Sequence, residues 1–332
     1  MQVGFFFWPY TPELVARMAA AADRYGYNMI GIADTPGNAM DPWVAATMVA
    51  EATKRARVAL CVTNLASRHP AVSASAIASL ELIAPGRTVL GIGAGHSGTK
   101  NLGIAGSRAS DLEPGARFVK DLLAGRAASF GGGEAHIPWV RGHPKLFLAG
   151  SGPKALATAG RVADGAFVNF GLAPENIAQS EGAVASGARS ASRDPAAVER
   201  WQIAALDCNA DGEAARRRIG AILAFMAAGY ILQSGDLASR GVPRELHGAV
   251  QELRRRYSTR PGDADAALVD ELGLFDYLSG RFAIYGTPAA CRDQLARAKK
   301  AGLERVMFTV SVASDPAGTV ELFGREVLPA VR

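Results

Sequence analysis

RVALCVTNLASRHPAVSASAIASLELIAPGRTVLGIGAGHSG, residues 57–98, is the stretch whose reading decides the fold. Residues 57–63 form a short apolar run with β-branched members, the length of a buried strand and too short for a helix. Pro70 opens an Ala/Ser/Ile-rich helical segment that runs to Ala84, since proline is tolerated in a first helical turn. Pro85-Gly86 stops it. Residues 88–92 are a second buried strand, ending in Gly91-Ile92-Gly93-Ala94-Gly95-His96. Two buried strands joined by a helical crossover make a parallel, right-handed βαβ unit. Its polar residues, Thr63, Asn64, His96 and Ser97, fall at the carboxyl ends of the strands, where α/β folds hold ligands.

The same unit recurs outward in both directions. Strands are expected at 3–8, 27–33, 145–149, 165–169, 199–207 and 305–310, besides the two above. Helices follow from Pro12 after Thr11, from Pro42 after Asp41, and at 111–124, 153–162, 174–190, 211–228, 288–301 and from Pro316 after Asp315, several with a capping residue followed by proline. Residues 125–144 read as a small hairpin excursion around Gly131-Gly132-Gly133. Residues 230–282 read as an insertion of mostly polar helix, with Arg254-Arg255-Arg256 on a solvated face. Eight near-continuously apolar strands alternating with helices predict a (β/α)8 barrel, a single α/β domain over residues 1–332 with the helical insertion at about 230–282. An open doubly wound sheet is disfavoured, because the glycine runs lack the GxGxxG spacing and the acidic residue of a dinucleotide site.

A hydrophobic fraction of 49% and a charged fraction of 20% are those of a soluble globular chain. The net charge of +5 suits an anionic small ligand and is spread too thinly for nucleic acid. Cys61, Cys208 and Cys291 fit neither a metal spacing nor a disulfide framework. The opening MQVGFFFWPY reads as a first strand rather than a signal peptide, and no apolar run reaches membrane length, so a cytoplasmic setting without membrane contact is expected.

Three groups of residues can carry chemistry. Gly150-Ser151-Gly152-Pro153-Lys154 lies between strand five and its helix, where free N–H groups at a helix start attract an anion such as phosphate. A tight strand-to-helix turn is the plainer reading of the same residues. His96 sits in a glycine loop at the barrel mouth and is the side chain best suited to carry a proton near neutrality. Asp34, at the end of strand two on the same rim, is the second candidate for catalysis and for ligand contact. His69 reads as a loop or capping residue, and His136, His143 and His247 have no partner spacing for a metal. No nucleophile elbow, P-loop or zincin motif is present. Phe5, Phe7, Trp8, Met40 and Trp43 suit either an apolar substrate pocket or the core.

Taken together, the pieces Val62-Thr63-Asn64 with Ser67-Arg68-His69-Pro70, then 86–95, Gly152-Pro153-Lys154 to Gly165, Gly286-Thr287-Pro288 and Ala301-Gly302 resemble the bacterial luciferase-like superfamily. They are most similar to its methylenetetrahydromethanopterin reductase-like branch, which uses the deazaflavin coenzyme F420. Only the insertion falls outside the resemblance. It implies a (β/α)8 barrel, usually dimeric, with the cofactor ring in the barrel mouth and its phosphate on Gly150–Lys154. It also implies a bulged non-proline cis peptide behind the ring at Cys61-Val62. Cys61, Val62, Thr63, Asn64, His96, Ser97 and Asn169 join Asp34 and the 150–154 turn as cofactor contacts, and the glycines at 91–95 become room for the ring. Two positions depart from the family: Thr35 stands where several deazaflavin enzymes carry a catalytic histidine, and His96 where an acidic residue is common. The implied activity is hydride transfer between coenzyme F420 and a small organic substrate. An FMN-dependent monooxygenase fed by a partner reductase is the alternative, and a non-catalytic flavin-binding relative a third.

Overall fold

The computed structural model describes residues 1–228, 232, 236–257, 263–311 and 313–331. Eight parallel strands close on themselves: β1 (Gln2–Phe7), β2 (Met29–Ile32), β3 (Arg57–Asn64), β4 (Thr88–Gly93), β5 (Lys145–Gly150), β6 (Gly165–Val168), β7 (Glu199–Cys208) and β8 (Arg305–Thr309). Each pairs with the next, and β8 returns to β1 through Phe5↔Phe308. The chain is a (β/α)8 barrel, as the alternation of apolar runs and capped helices predicts.

The caps act where the sequence places them. The Thr11 side chain accepts the Leu14 N–H at the start of α1 (Pro12–Tyr25), and Asp41 accepts the Trp43 N–H at the start of α2 (Pro42–Ala52). His69 caps α3 (Pro70–Ile83) by accepting the Ala71 N–H on its Nδ1, in line with its plain reading. The hairpin excursion is an antiparallel pair, Ala128–Phe130 with Gly133–Ala135.

Side chains alternate between the barrel interior and the layer under the helices. Phe5 and Phe7 point outward and are fully buried, Phe5 standing edge-on to Tyr27 at 4.8 Å. Of the apolar residues suggested for a substrate pocket, Phe5, Phe7 and Trp8 belong to the core. The interior is filled by Phe6, Cys61 and Met307. A Cβ at Gly31 would stand 2.6 to 2.8 Å from atoms of all three, so only glycine fits there.

In the described part of the insertion, His247–Arg256, Asp263–Glu271 and Phe275–Phe282 are helices; residues 229–231, 233–235 and 258–262 of this region lie outside the described residues. A short strand that the sequence reading does not anticipate, Ala283–Gly286, pairs with the outer end of β7 through Ile284↔Leu206. The three consecutive arginines do not share one solvated face. Arg255 pairs with Glu252 and Arg256 with Glu271 on the surface, whereas Arg254 turns inward. Its Nε and Nη2 are buried and have no hydrogen-bond partner among the described residues.

Candidate active site

At the carboxyl end of the barrel lies a cleft of about 260 Å³, close to the lower end of small-molecule pockets, which run from about 300 to 1,000 Å³. Its floor comes from the end of β3. The Cys61–Val62 peptide is cis, and the ladder to β4 shifts register between Leu60 and Thr63, the bulge that the family resemblance implies. The bulge carries Val62 toward β4, and β4 answers with glycines. A Cβ at Gly91 would stand 2.3 Å from the Leu60 carbonyl oxygen and 2.9 Å from Val62 Cγ1, and one at Gly93 would stand 2.9 Å from Val62 Cγ2. Gly91 and Gly93 therefore make room for this chain's own Val62 and Leu60, while Gly93 and Gly95 also line the cleft. Gly95 has φ +81, a left-handed turn that lets the following loop fold back, and Gly98 allows that loop to approach within contact of the Asp34 carbonyl.

One wall is polar. Thr63 Oγ1 donates to Asp34 Oδ2 at 2.7 Å, with both residues buried. Burial pushes the Asp34 carboxyl up from the ordinary range, against the opposing pull of the Thr63 hydroxyl. The Trp8 indole N–H donates to Thr35 Oγ1 at 3.0 Å, and Thr35 Oγ1 lies 3.1 Å from Ser97 Oγ. These bonds link the ends of β1 and β2 to the residues after β4. Ser97 begins a four-residue helical turn, Ser97–Lys100, within a stretch that reads from sequence as loop. His96, just before it, is half-buried, and burial together with Lys100 lowers its imidazole to about 4. The ring is thus neutral at pH 7 and is no reservoir of protons there. Asn64 has a duty of its own: its Oδ1 accepts the N–H groups of Ala66 and Ser67 and shapes the loop after β3.

Asp34, Cys61, Val62, Thr63, Asn64, His96, Ser97, Gly150, Ser151 and Asn169 all line this one cleft. Gly152, Pro153 and Lys154 lie just beyond it at the start of the Pro153–Val162 helix, Pro153 and Lys154 exposed. The Gly152 N-cap makes no side-chain capping bond, so the first N–H groups of that helix remain open to an anion. Cys61 is buried and its thiol is pushed far up, which makes it packing and not a nucleophile. Phe6, Phe167, Ile203, Phe225, Met226 and Thr309 also line the cleft, a mostly apolar side that sequence reading misses. The unbroken apolar run Phe5-Phe6-Phe7 carries no signal that sets Phe6 apart from its neighbours. Among the described residues no group of three His, Cys, Asp or Glu side chains is placed to hold a metal.

Residues 9–305 match the family model described as luciferase-like monooxygenase. The chain belongs to that family. A 5,10-methylenetetrahydromethanopterin reductase of Methanolobus tindarius is 26% identical over 99% of this chain and 100% of its own. The coenzyme F420-dependent tetrahydromethanopterin reductase of Methanopyrus kandleri superposes with a TM-score of 0.79 at 22% identity, covering 100% of both chains. An F420-dependent secondary alcohol dehydrogenase, solved with an F420–acetone adduct, gives a TM-score of 0.75 at 18% identity, covering 100% of this chain and 99% of its own. At these identities the solved structures speak for the fold.

Proposed function

We propose that this chain is an oxidoreductase that moves a hydride between coenzyme F420 and a small organic substrate. The observation that carries the reading is the layout of the cleft, in a chain similar end to end to a methylenetetrahydromethanopterin reductase. A wall of Cys61, Val62 and Phe167 meets, at its far end, the open helix N-terminus after β5. A flat ring would lie against that wall with its phosphate on the N–H groups at Gly152–Lys154.

When bound, the coenzyme supplies the hydride-carrying carbon. The protein has three tasks. Phe6, Ile203, Phe225 and Met226 exclude water and favour an apolar substrate. Asp34, its carboxyl raised by burial and held by Thr63, gives or takes the proton that balances the hydride on a carbonyl or alcohol oxygen. His96, neutral at pH 7, orients the substrate through a hydrogen bond, and it is Asp34 rather than His96 that carries the proton.

Reduced coenzyme comes in this reading from a separate F420 reductase, with catalysis in the cytoplasm; among the described residues no helix is long and apolar enough to cross a membrane. The working unit is a homodimer. In support, α2 and α3 are apolar on their outer faces too: Val44, Val72, Leu82 and Ile83 are exposed there, and helices apolar all round are normally covered. Titration of the purified protein with coenzyme F420 and with FMN tests the reading. Saturable binding of the deazaflavin is expected, the oxidised coenzyme being bleached by a small alcohol and the reduced coenzyme regaining its colour with a small carbonyl compound. Tight FMN binding with no deazaflavin affinity would instead support an FMN-dependent monooxygenase.

A further inference from the structure

We propose that Arg240, carried by the insertion, is the side chain that clamps the cofactor phosphate against the β5 turn, with Arg281 holding it in place. The inference rests on the reading of the 150–154 turn as a phosphate site and adds residues from a segment that the family resemblance leaves unassigned.

The Arg240 guanidinium lies over the turn. It donates to the Ser151 backbone oxygen, its Nη1 is 3.2 Å from Ser151 Oγ, and a Cβ at Gly152 would stand 3.4 Å from its Cζ. The guanidinium thus lies in van der Waals reach of the turn at 152 as well as in hydrogen-bond reach of Ser151. A planar fork of N–H donors facing open backbone N–H groups is the arrangement that grips a phosphate from two sides.

The position of Arg240 is enforced from below. Arg281 is only 3% exposed and donates to the carbonyls of Phe170, Arg240 and Gly241 and to the Tyr277 hydroxyl. It ties residues 240–241 to the loop after β6, next to Asn169 on the cleft. Arg281 touches no part of the proposed anion site and is a positioning residue.

The electrostatics point the same way. Burial, then the neighbouring charges of Arg254 and Arg281, lower the Arg240 guanidinium from its ordinary value. Arg254 contributes a charge whose Nε and Nη2 are buried without a hydrogen-bond partner among the described residues. An anion bound beside Arg240 would favour its charged form against that burial and those neighbouring charges.

The test compares binding of phosphorylated and phosphate-free ligands to wild type, Arg240→Gln and Arg240→Lys, by fluorescence titration. The ligand pairs are coenzyme F420 with its phosphate-free ribityl deazaflavin, and FMN with riboflavin. Arg240 is half-buried and on the surface of the insertion, so the ligand-free melting temperature of both variants is expected to stay within a few degrees of wild type. Arg240→Gln is expected to weaken the phosphorylated ligand about 10- to 100-fold and leave the phosphate-free partner unchanged, with Arg240→Lys in between. Unchanged affinity for the phosphorylated ligand, or an equal loss for both members of a pair, overturns the clamp while leaving the proposed function standing. If only the FMN pair binds and shows the phosphate-selective loss, the clamp stands and the choice of coenzyme falls. Wild type that binds none of the four overturns both.

Discussion

Val62 and Gly93 face each other across the β3–β4 ladder, and replacing them singly and together tests whether the cleft floor is built by their interlock. In Gly93→Ala the new methyl would stand 2.9 Å from Val62 Cγ2, with its next neighbour, Ala149 Cβ, at an ordinary 3.6 Å. The whole penalty thus comes from one stiff, β-branched side chain, and overpacking of this kind costs about 1 to 3 kcal/mol. Val62→Ala removes two methyl groups from a partly exposed wall, at about 1 kcal/mol. In the double variant the clash has no partner, so its stability is expected to equal that of Val62→Ala, with a coupling as large as the Gly93→Ala penalty itself, about 1 to 3 kcal/mol. Gly91→Ala is the control: its methyl would stand 2.3 Å from the Leu60 carbonyl oxygen, which trimming Val62 does not move, so Val62→Ala leaves its defect unrescued. Urea unfolding followed by far-UV circular dichroism gives the stabilities of wild type, the three single variants and the two double variants. Additivity of Gly93→Ala and Val62→Ala to within about 0.5 kcal/mol would refute the interlock.

Three further outcomes follow from the site and the surface. His96 has a depressed imidazole, about 4 in the fold, against about 6.5 unfolded, so between these values the unfolded chain binds a proton that the native one does not. The stability advantage of wild type over His96→Asn is therefore expected at pH 7 and to shrink by about 2 kcal/mol, after discounting for solvent at the cleft, as pH falls to 4. Asp207, raised to about 6 chiefly by burial, works in the opposite sense but is common to both proteins; a difference that grows on acidification would contradict the assignment. Thr63→Val removes the donor that favours the Asp34 carboxylate, so the limb of the pH–rate profile that reports Asp34 is expected to move to higher pH, and an unmoved profile would take Asp34 out of proton transfer. Leu82→Glu places a charge on the exposed apolar face of α3 and is expected to shift sedimentation from dimer to monomer without loss of secondary structure.

The barrel is legible in the sequence because parallel strands buried on both faces leave near-continuous apolar runs, and because proline behind a capping residue marks helix after helix. The polar rim is legible for the same reason: once the strands are placed, Asp34, Thr63, Asn64, His96 and Ser97 fall at their carboxyl ends. Less could be read of the apolar lining. Phe5-Phe6-Phe7 offers no polar residue to mark the period, so nothing in the letters says that Phe6 faces the cleft and its neighbours the helices. Phe225 and Met226 end a helix and reach the mouth only through tertiary packing. The glycines of β4 misled for a related reason: a missing side chain shows that room is needed, but the occupant, Val62, is a neighbour across the ladder. Arg254 looks solvated because it stands among charged residues, while its Nε and Nη2 are buried.

Arg281 leaves a mark that can be followed outside this molecule. One side chain addresses acceptors on three separate segments, at 170, 240–241 and 277, a distribution that the fork of a guanidinium reaches and the single ammonium of lysine does not. Its place in the chain is easily recognised, two residues ahead of the short Ala283–Gly286 strand. A relative whose insertion carries both arginines is expected to dock that insertion on the turn after β5, which its structure would show.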